Sequence, residues 1–488
     1  MSEPSLPFAL VLLVLITITS ACCSPLLAIG LLQGPPQRTI SRPSHPVTVL
    51  REISSKQILG RGLDKEELMK LDKEELVDKI IQLEAHNFQL KNIISRDLGR
   101  PPKDETKSGQ RCNYRRVLLR VLYFGWNYNG LAVQEDNNQT IEHHLFYALT
   151  KCCLIESRDT SNYHRCGRTD KGVSAFGQVI SISLRSKFPA DHQNTADGLA
   201  KEMPYCKMLN RLLPKDIRVV AWAPIPADKP EYSARFDCTK RQYKYYFPRS
   251  SLDIAAMRSA CPQLLGSNDY RNLCKMDVGN GVTEFRRHLV RAEIVAVDDA
   301  DTERPTSMYY LLIEGNAFLW HQIRCMMGVL LLIGQGKEAP DVITELLDVD
   351  KNPRKPQYNM ALDVPLNLFH CTYELTDENP WIYDKTELGE ILINLQGEWT
   401  LSSVQTTMIK DVIDELEKQY SSMPSETADT ENNGSERDSI MAHTDCLIQG
   451  VKARVYTPLL KRVKCSSLEE KIQHYKKKRK VGDQEETV

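Results

Sequence analysis

The sequence predicts an α+β fold with a largely antiparallel sheet. Two observations carry this expectation. Runs with the period-two alternation of half-buried strands recur through residues 112–376 and are spaced as hairpins, and long helical stretches lie between them. A chain of 488 residues has room for one large core with tails, or for two or three domains.

Residues 1–50 form a hydrophobic N-terminal extension. The stretch 7–18 is almost wholly apolar, and Ala21, Cys22, Cys23 and Ser24 follow it, as in a signal-peptide core. The first basic residue, however, is Arg38, so the positive leader of a secretory signal is missing. The extension reads either as an alternative targeting segment or as a misassigned start, and no membrane partner is expected. Over residues 63–98 the hexapeptide Leu-Asp-Lys-Glu-Glu-Leu occurs at 63–68 and again at 71–76. Met69, Leu76, Leu83 and Leu90 are seven apart, with Ile80, Asn87 and Ile94 interleaved four residues on. That is a heptad seam with one asparagine at a core position, which predicts a coiled-coil-like helix, either pairing with a second chain or lying on its own domain. A polar break containing proline, 99–111, separates it from the globular part.

The body divides into 112–230 and 231–376. In the first part, 117–124 is a strand and 125–138 a loop, Thr140 caps a helix reaching Lys151, 176–184 is a strand, 194–213 is helical and 217–224 is a strand. In the second part, 241–247 is a basic strand, 308–315 a strand, 319–334 a long apolar helix and 368–375 a closing strand. His321, Gln322 and Arg324 interrupt the apolar helix, which argues against a membrane span. Residues 377–446 form a variable acidic linker. The stretch 411–438 holds nine acids and two bases with few apolar residues, so it is expected to be disordered. Residues 447–488 form a basic tail, also expected to be disordered, with eleven bases and two acids over 451–480. The net charge of −1 averages over these unlike segments. The run Lys476-Lys477-Lys478-Arg479-Lys480-Val481 has the density of a nuclear-localisation cluster, with a nonspecific RNA-binding tail as the other reading.

The 14 cysteines include no Cys-x-x-Cys pair, and Cys22–Cys23 and Cys152–Cys153 are adjacent, so no metal is expected from spacing. Scattered thiols in a large chain fit a reducing, intracellular compartment. Cys166 reads as a small buried hydrophobe.

The chemistry concentrates in residues 165–175. Asp170 stands between Arg168 and Lys171, in a turn flanked by Gly167 and Gly172, just ahead of a strand. Neighbouring cations favour the ionised carboxylate, the form a nucleophile or base requires. Thr-Asp-Lys-Gly is also ordinary turn chemistry. Between 231 and 249 there are five bases, two acids and six aromatics, a composition that suits a phosphate backbone and an unstacked base. Period two puts Arg241, Tyr243 and Tyr245 on one face of that strand, with Tyr245 read as core. Arg324 is a strong charge in an apolar helix and needs a partner. His321 reads as a hydrogen-bonded structural histidine.

The string Arg168-Thr169-Asp170-Lys171-Gly172-Val173-Ser174-Ala175 resembles the active-site motif of the tRNA pseudouridine synthase A family, in which the aspartate is catalytic. The resemblance runs from Arg115 to Tyr373 and resumes over 456–475. It implies two similar halves whose sheets meet at a central basic cleft. It implies that Tyr243 packs on the target base, that Arg324 ion-pairs with Asp170, and that Arg168 enters the tRNA stem in place of the extruded nucleotide. Lys171 and Arg241 are further candidate RNA contacts, Lys171 equally a solvated turn residue. The spelling of 164–170 and 176–180 resembles eukaryotic members acting at tRNA positions 38 and 39. The implied reaction needs no cofactor, its partner is the tRNA anticodon stem-loop, and the resemblance implies a homodimer; the basic cluster at 476–481 predicts the nucleus, with the cytoplasm as a second site. A synthase for another tRNA position or another RNA, a tRNA-binding module without catalysis, and a membrane-tethered scaffold are the alternatives.

Overall fold

A computed structural model of the chain describes residues 112–298, 302–378, 380–423, 444–450 and 455–485. The N-terminal extension, the heptad helix expected over 63–98 and the acidic stretch 424–443 lie outside them. The described residues hold one nine-stranded sheet. Its strands are β1 Asn113–Tyr123, β2 His164–Arg165, β3 Ser174–Ser186, β4 Ile217–Pro224, β5 Lys240–Pro248, β6 Gly266–Asp269, β7 Arg286–Ala296, β8 Met308–Gly315 and β9 Leu366–Thr372. The order is β4-β1-β3-β9-β5-β8-β7-β6, with β2 added to β3. The expected α+β architecture with a predominantly antiparallel sheet is what forms.

One pairing is parallel. β3 meets β9 through Ser174 opposite Asn367 and Ala175 opposite Leu368. The approach is close because Gly177 has no side chain: a Cβ there would lie 2.7 Å from the Phe369 carbonyl oxygen and 2.8 Å from His370 Cα. Asn367 fixes the junction by accepting from the Phe176 amide at 3.1 Å. On its other edge β9 runs antiparallel to β5. The strands before residue 230 and those after 240 therefore join at this one short contact.

Helices cover the sheet. Helix α1, Ile141–Lys151, starts at Thr140, whose hydroxyl accepts from the His143 amide at 3.4 Å, as the sequence predicts. The helix expected over 194–213 is interrupted instead. Within it form Ala196–Ala200 and α2, Tyr205–Asn210, and a further turn of helix, Ala190–Gln193, lies just ahead of it. Thr195 caps a fresh start by accepting from Gly198, and Pro204 has no amide to continue a helical ladder. Helix α3, Ile254–Ala260, packs on α4, Gln322–Gly334, which is buried throughout, as expected for a helix apolar on every face. No helix among the described residues is long and apolar enough to cross a membrane.

Two expectations of disorder are corrected in part. Residues 411–422, the start of the stretch expected to be disordered, belong to α5, Lys385–Ser422, a helix of 38 residues. Asp384 caps it, accepting from Thr386 at 2.9 Å and Glu387 at 3.2 Å. Averaging the composition hid the apolar residues that recur every three or four positions along it. The described residues of the basic tail also fold. Ile448 bridges to Ala361 and Lys464 to Pro356, Leu459 is fully buried, and α6, Leu468–Glu485, follows.

Candidate active site

The Asp170 loop joins β2 to β3 and is tied down from several directions. The Leu131 amide donates to the Thr169 carbonyl at 3.2 Å and the Gly172 amide to the Tyr128 carbonyl at 3.1 Å. Thr169 Oγ1 shares a 2.7 Å hydrogen bond with the buried Tyr123 hydroxyl, and Gln178 Nε2 donates to the Gly167 carbonyl at 2.9 Å. Inside the loop, the Val173 amide closes a turn on the Asp170 carbonyl at 3.2 Å. Gly172 makes this turn possible: its φ is +77°, and a Cβ would meet Asp363 Oδ1 at 2.9 Å. Gly172→Ala is expected to cost about 1–3 kcal/mol of stability, read as a lowered denaturant midpoint with unchanged slope.

Asp170 is half-buried and is gripped from the segment preceding α4. Trp320 Nε1 donates to Oδ1 at 3.2 Å, and His321 Nε2 lies 3.3 Å from Oδ2. Burial raises the Asp170 pKa above the ordinary carboxylate value; Arg324, the Trp320 hydrogen bond and Lys275 oppose the rise, and Asp363 adds to it. Burial and the cations Arg324, Lys275 and Lys355 push His321 down to about 4. It is therefore neutral near pH 7, with Nε2 beside the Asp170 carboxylate. His321 adopts a left-handed φ of 56°, which places its ring on Asp170 and delays the start of α4 to Gln322, three residues beyond the expected Leu319.

Three expectations are corrected. The charges acting on Asp170 are not its sequence neighbours: Arg168 and Lys171 are exposed, and the opposing cations are Arg324 and Lys275. Arg324 does not pair directly with Asp170. Its Nη2 lies 3.5 Å from Asp363 Oδ2 and 2.8 Å from Gln449 Oε1, while Nε donates to the Ala361 carbonyl at 2.9 Å. It acts on Asp170 through space. Arg241 is not presented to a ligand. It is buried, and its guanidinium donates to the carbonyls of Cys166 at 3.0 Å, Arg235 at 2.9 Å, Cys238 at 3.4 Å and Asn316. It clamps the start of the Asp170 loop to the ends of β5 and β8.

Tyr243 and Tyr245 both face the core side of β5, as period two requires, and Tyr245 is fully buried. The Tyr243 ring packs edge-on to Phe318 at 5.2 Å, and burial holds its hydroxyl well above the ordinary phenol range. Leu368 pairs with Ala175 on one side and Tyr243 on the other, so Tyr243 stands two strand spacings, about 10 Å, from the end of the Asp170 loop. The sequence reading missed Trp320 and Asp363 altogether, and it missed Gln449. It gave His321 a structural role rather than a place on Asp170. Trp320 and His321 sit in the same string as Arg324, which is the only signal that pointed to them.

Residues 260–374 match a family described as tRNA pseudouridine synthase, a stretch that holds Trp320, His321, Arg324 and Asp363. Over 405 residues the chain is 44% identical to the tRNA pseudouridine(38/39) synthase of Mus musculus, covering 80% of this chain and 83% of that protein. The Homo sapiens protein of the same name is 43% identical over 422 residues, with 84% and 86% covered. That of Saccharomyces cerevisiae is 37% identical over 363 residues, with 70% and 80% covered.

Proposed function

The chain belongs to the tRNA pseudouridine synthases, and from that premise we propose that it isomerises uridine to pseudouridine in the tRNA anticodon stem-loop, at positions 38 and 39. The observation that carries the reading is the setting of Asp170: one half-buried carboxylate, on a loop braced from both parts of the sheet, with the Trp320 indole donating to one oxygen and His321 Nε2 close to the other.

The reaction breaks the bond from C1′ to N1 of uracil, turns the base and joins C1′ to C5. The proton leaves C5 and one is gained at N1, so no electrons are exchanged with a cofactor. The uridine must leave its stack to be reached. Ionised Asp170 can then attack C1′ or remove a proton from the sugar. Arg324, the Trp320 hydrogen bond and Lys275 stabilise the carboxylate before it reacts, and the loop geometry holds it at a fixed point. A freed base that stays confined recombines as an effectively intramolecular step. Tyr243 stays protonated and offers a ring edge and a hydroxyl proton. Exposed Arg168 is free to enter the stem, and exposed Lys171 to meet a phosphate. Trp320, 40% exposed beside Asp170, offers a face for a flipped base.

We take residues 112–230 and 231–376 as the two halves of the synthase domain, with β3–β9 as their seam and the cleft above it. Homodimerisation is supported by α5, where Leu392, Trp399, Ile413 and Tyr420 fall on one heptad position, interrupted at Thr406, with Ile409 and Leu416 on a second, all six apolar side chains exposed. Light scattering on the purified protein tests it, and a monomer at micromolar concentration would overturn it. The cluster at 476–481 supports a nuclear location, which imaging of the tagged protein with that cluster neutralised would test. For the activity, the purified protein is incubated with unmodified tRNA transcripts and pseudouridine is mapped by nucleotide. Product at 38 and 39 is expected. Product confined to other positions would reassign the substrate, and no product would remove the enzymatic reading.

A further inference from the structure

Behind the Asp170 loop, three cysteines meet that lie far apart in sequence. Cys166 comes from the loop itself, Cys238 from the turn before β5 and Cys371 from β9. All three are buried, and their sulfurs lie within 4.8 Å of one another, with Cys166 and Cys371 at 3.3 Å. A buried cysteine is ordinarily a small hydrophobe. That explains each one singly, but not why three segments bring their sulfurs to one point. It also leaves Arg241 without an anion. Its guanidinium is buried, its four hydrogen-bond partners are neutral carbonyls, and it takes part in none of the ion pairs among the described residues. A buried cation without a counter-charge is costly, and the acidic groups around this one are the three thiols and Tyr243.

We propose that Cys166, Cys238 and Cys371 form a three-thiolate site for a soft, closed-shell metal ion of the cuprous type. Thiolates select soft ions. Metal–sulfur bonds of about 2.3 Å put three sulfurs of a planar trigonal site about 4.0 Å apart, inside the observed spread. No imidazole or carboxylate joins the group among the described residues. Structural zinc takes four ligands, so a closed site with three sulfurs favours cuprous copper. On binding, each coordinating thiol releases its proton to solvent and its sulfur donates an electron pair to the metal, with no change of oxidation state. Arg241 offsets part of the thiolate charge. The bound ion would tie the Asp170 loop, at a point four residues before Asp170, to the start of β5 and to β9 across the β3–β9 junction.

The test uses the full-length protein, reduced and anaerobic, equilibrated with cuprous ion buffered by bicinchoninate and, separately, with buffered zinc. Wild type is expected to hold one equivalent of cuprous ion more than Cys238→Ala or Cys371→Ala. Its melting temperature should rise with the metal while that of the variants does not. Exposed thiols such as Cys112 and Cys153 are common to all three proteins and cancel in the comparison. If a variant fails to fold, the wild type alone still decides the matter, because bound metal should slow alkylation of Cys166 at least tenfold. Equal uptake by wild type and folded variants, zinc held in preference to cuprous ion, or unprotected alkylation of Cys166 would each overturn the site.

Discussion

Replacing Asp170 by alanine is expected to abolish pseudouridine formation, by about four orders of magnitude or more, while tRNA affinity stays within about twofold. The carboxylate is the reacting group, whereas Arg168, Lys171 and the aromatic surface around the loop are untouched by the change. Gel-shift and single-turnover assays on the same preparation separate the two effects, and appreciable turnover in the variant would sink the mechanism. Asparagine is more revealing. Burial raises the Asp170 pKa, so the folded state favours the neutral carboxyl. The stabilising contribution of this group is present below the unfolded value of about 3.9 and is lost as pH rises through the raised folded value. At about pH 7 the ionised side chain therefore costs stability. Asp170→Asn should be inactive and melt higher than wild type near neutrality, with the gain vanishing below about pH 4. In the wild type, the acid limb of activity should lie above the range of an ordinary carboxylate. Trp320→Phe, which removes a hydrogen bond to the charged form, should move that limb to higher pH. A limb that stayed in place would mean that Asp170 does not set it.

What the sequence revealed depended on the range of the interaction involved. Strands β4 and β8 fall where alternation and flanking turns place them, and Thr140 caps α1, because these are contests settled within a few residues. Alternation also put Arg241, Tyr243 and Tyr245 on one face, but it cannot say whether that face meets core or cleft. For Arg241 the answer was core. The apolar setting of Arg324 showed that it needed a partner, yet the chain offers many acids, and the one used is Asp363, brought near by the segment leading into β9. Gln449 and the meeting of Cys166, Cys238 and Cys371 are consequences of tertiary closure, with no local pattern to announce them. For α5, counting charges concealed a periodicity that was present in the letters.

Arg241→Met should give the largest loss of stability of any change near the site. Methionine keeps much of the volume but withdraws every donor from the carbonyls of Cys166, Arg235, Cys238 and Asn316. A buried acceptor left unpaired costs about 1–3 kcal/mol. Some of the four can recover a partner, and the net is expected at about 3–5 kcal/mol, a large share of the 5–15 kcal/mol typical of a folded protein. Activity should fall with it, because the clamp on Cys166 sets where the Asp170 loop begins. Lysine keeps the charge but not the planar fork that reaches several carbonyls at once, so Arg241→Lys should recover only a small part of the loss. Thermal melts and tRNA binding at several salt concentrations separate this role from RNA contact. A phosphate-contacting arginine would leave the melt unchanged and, when removed, lower the salt slope of binding by about one. A methionine variant that melts like wild type and shows that smaller slope would return Arg241 to the RNA surface.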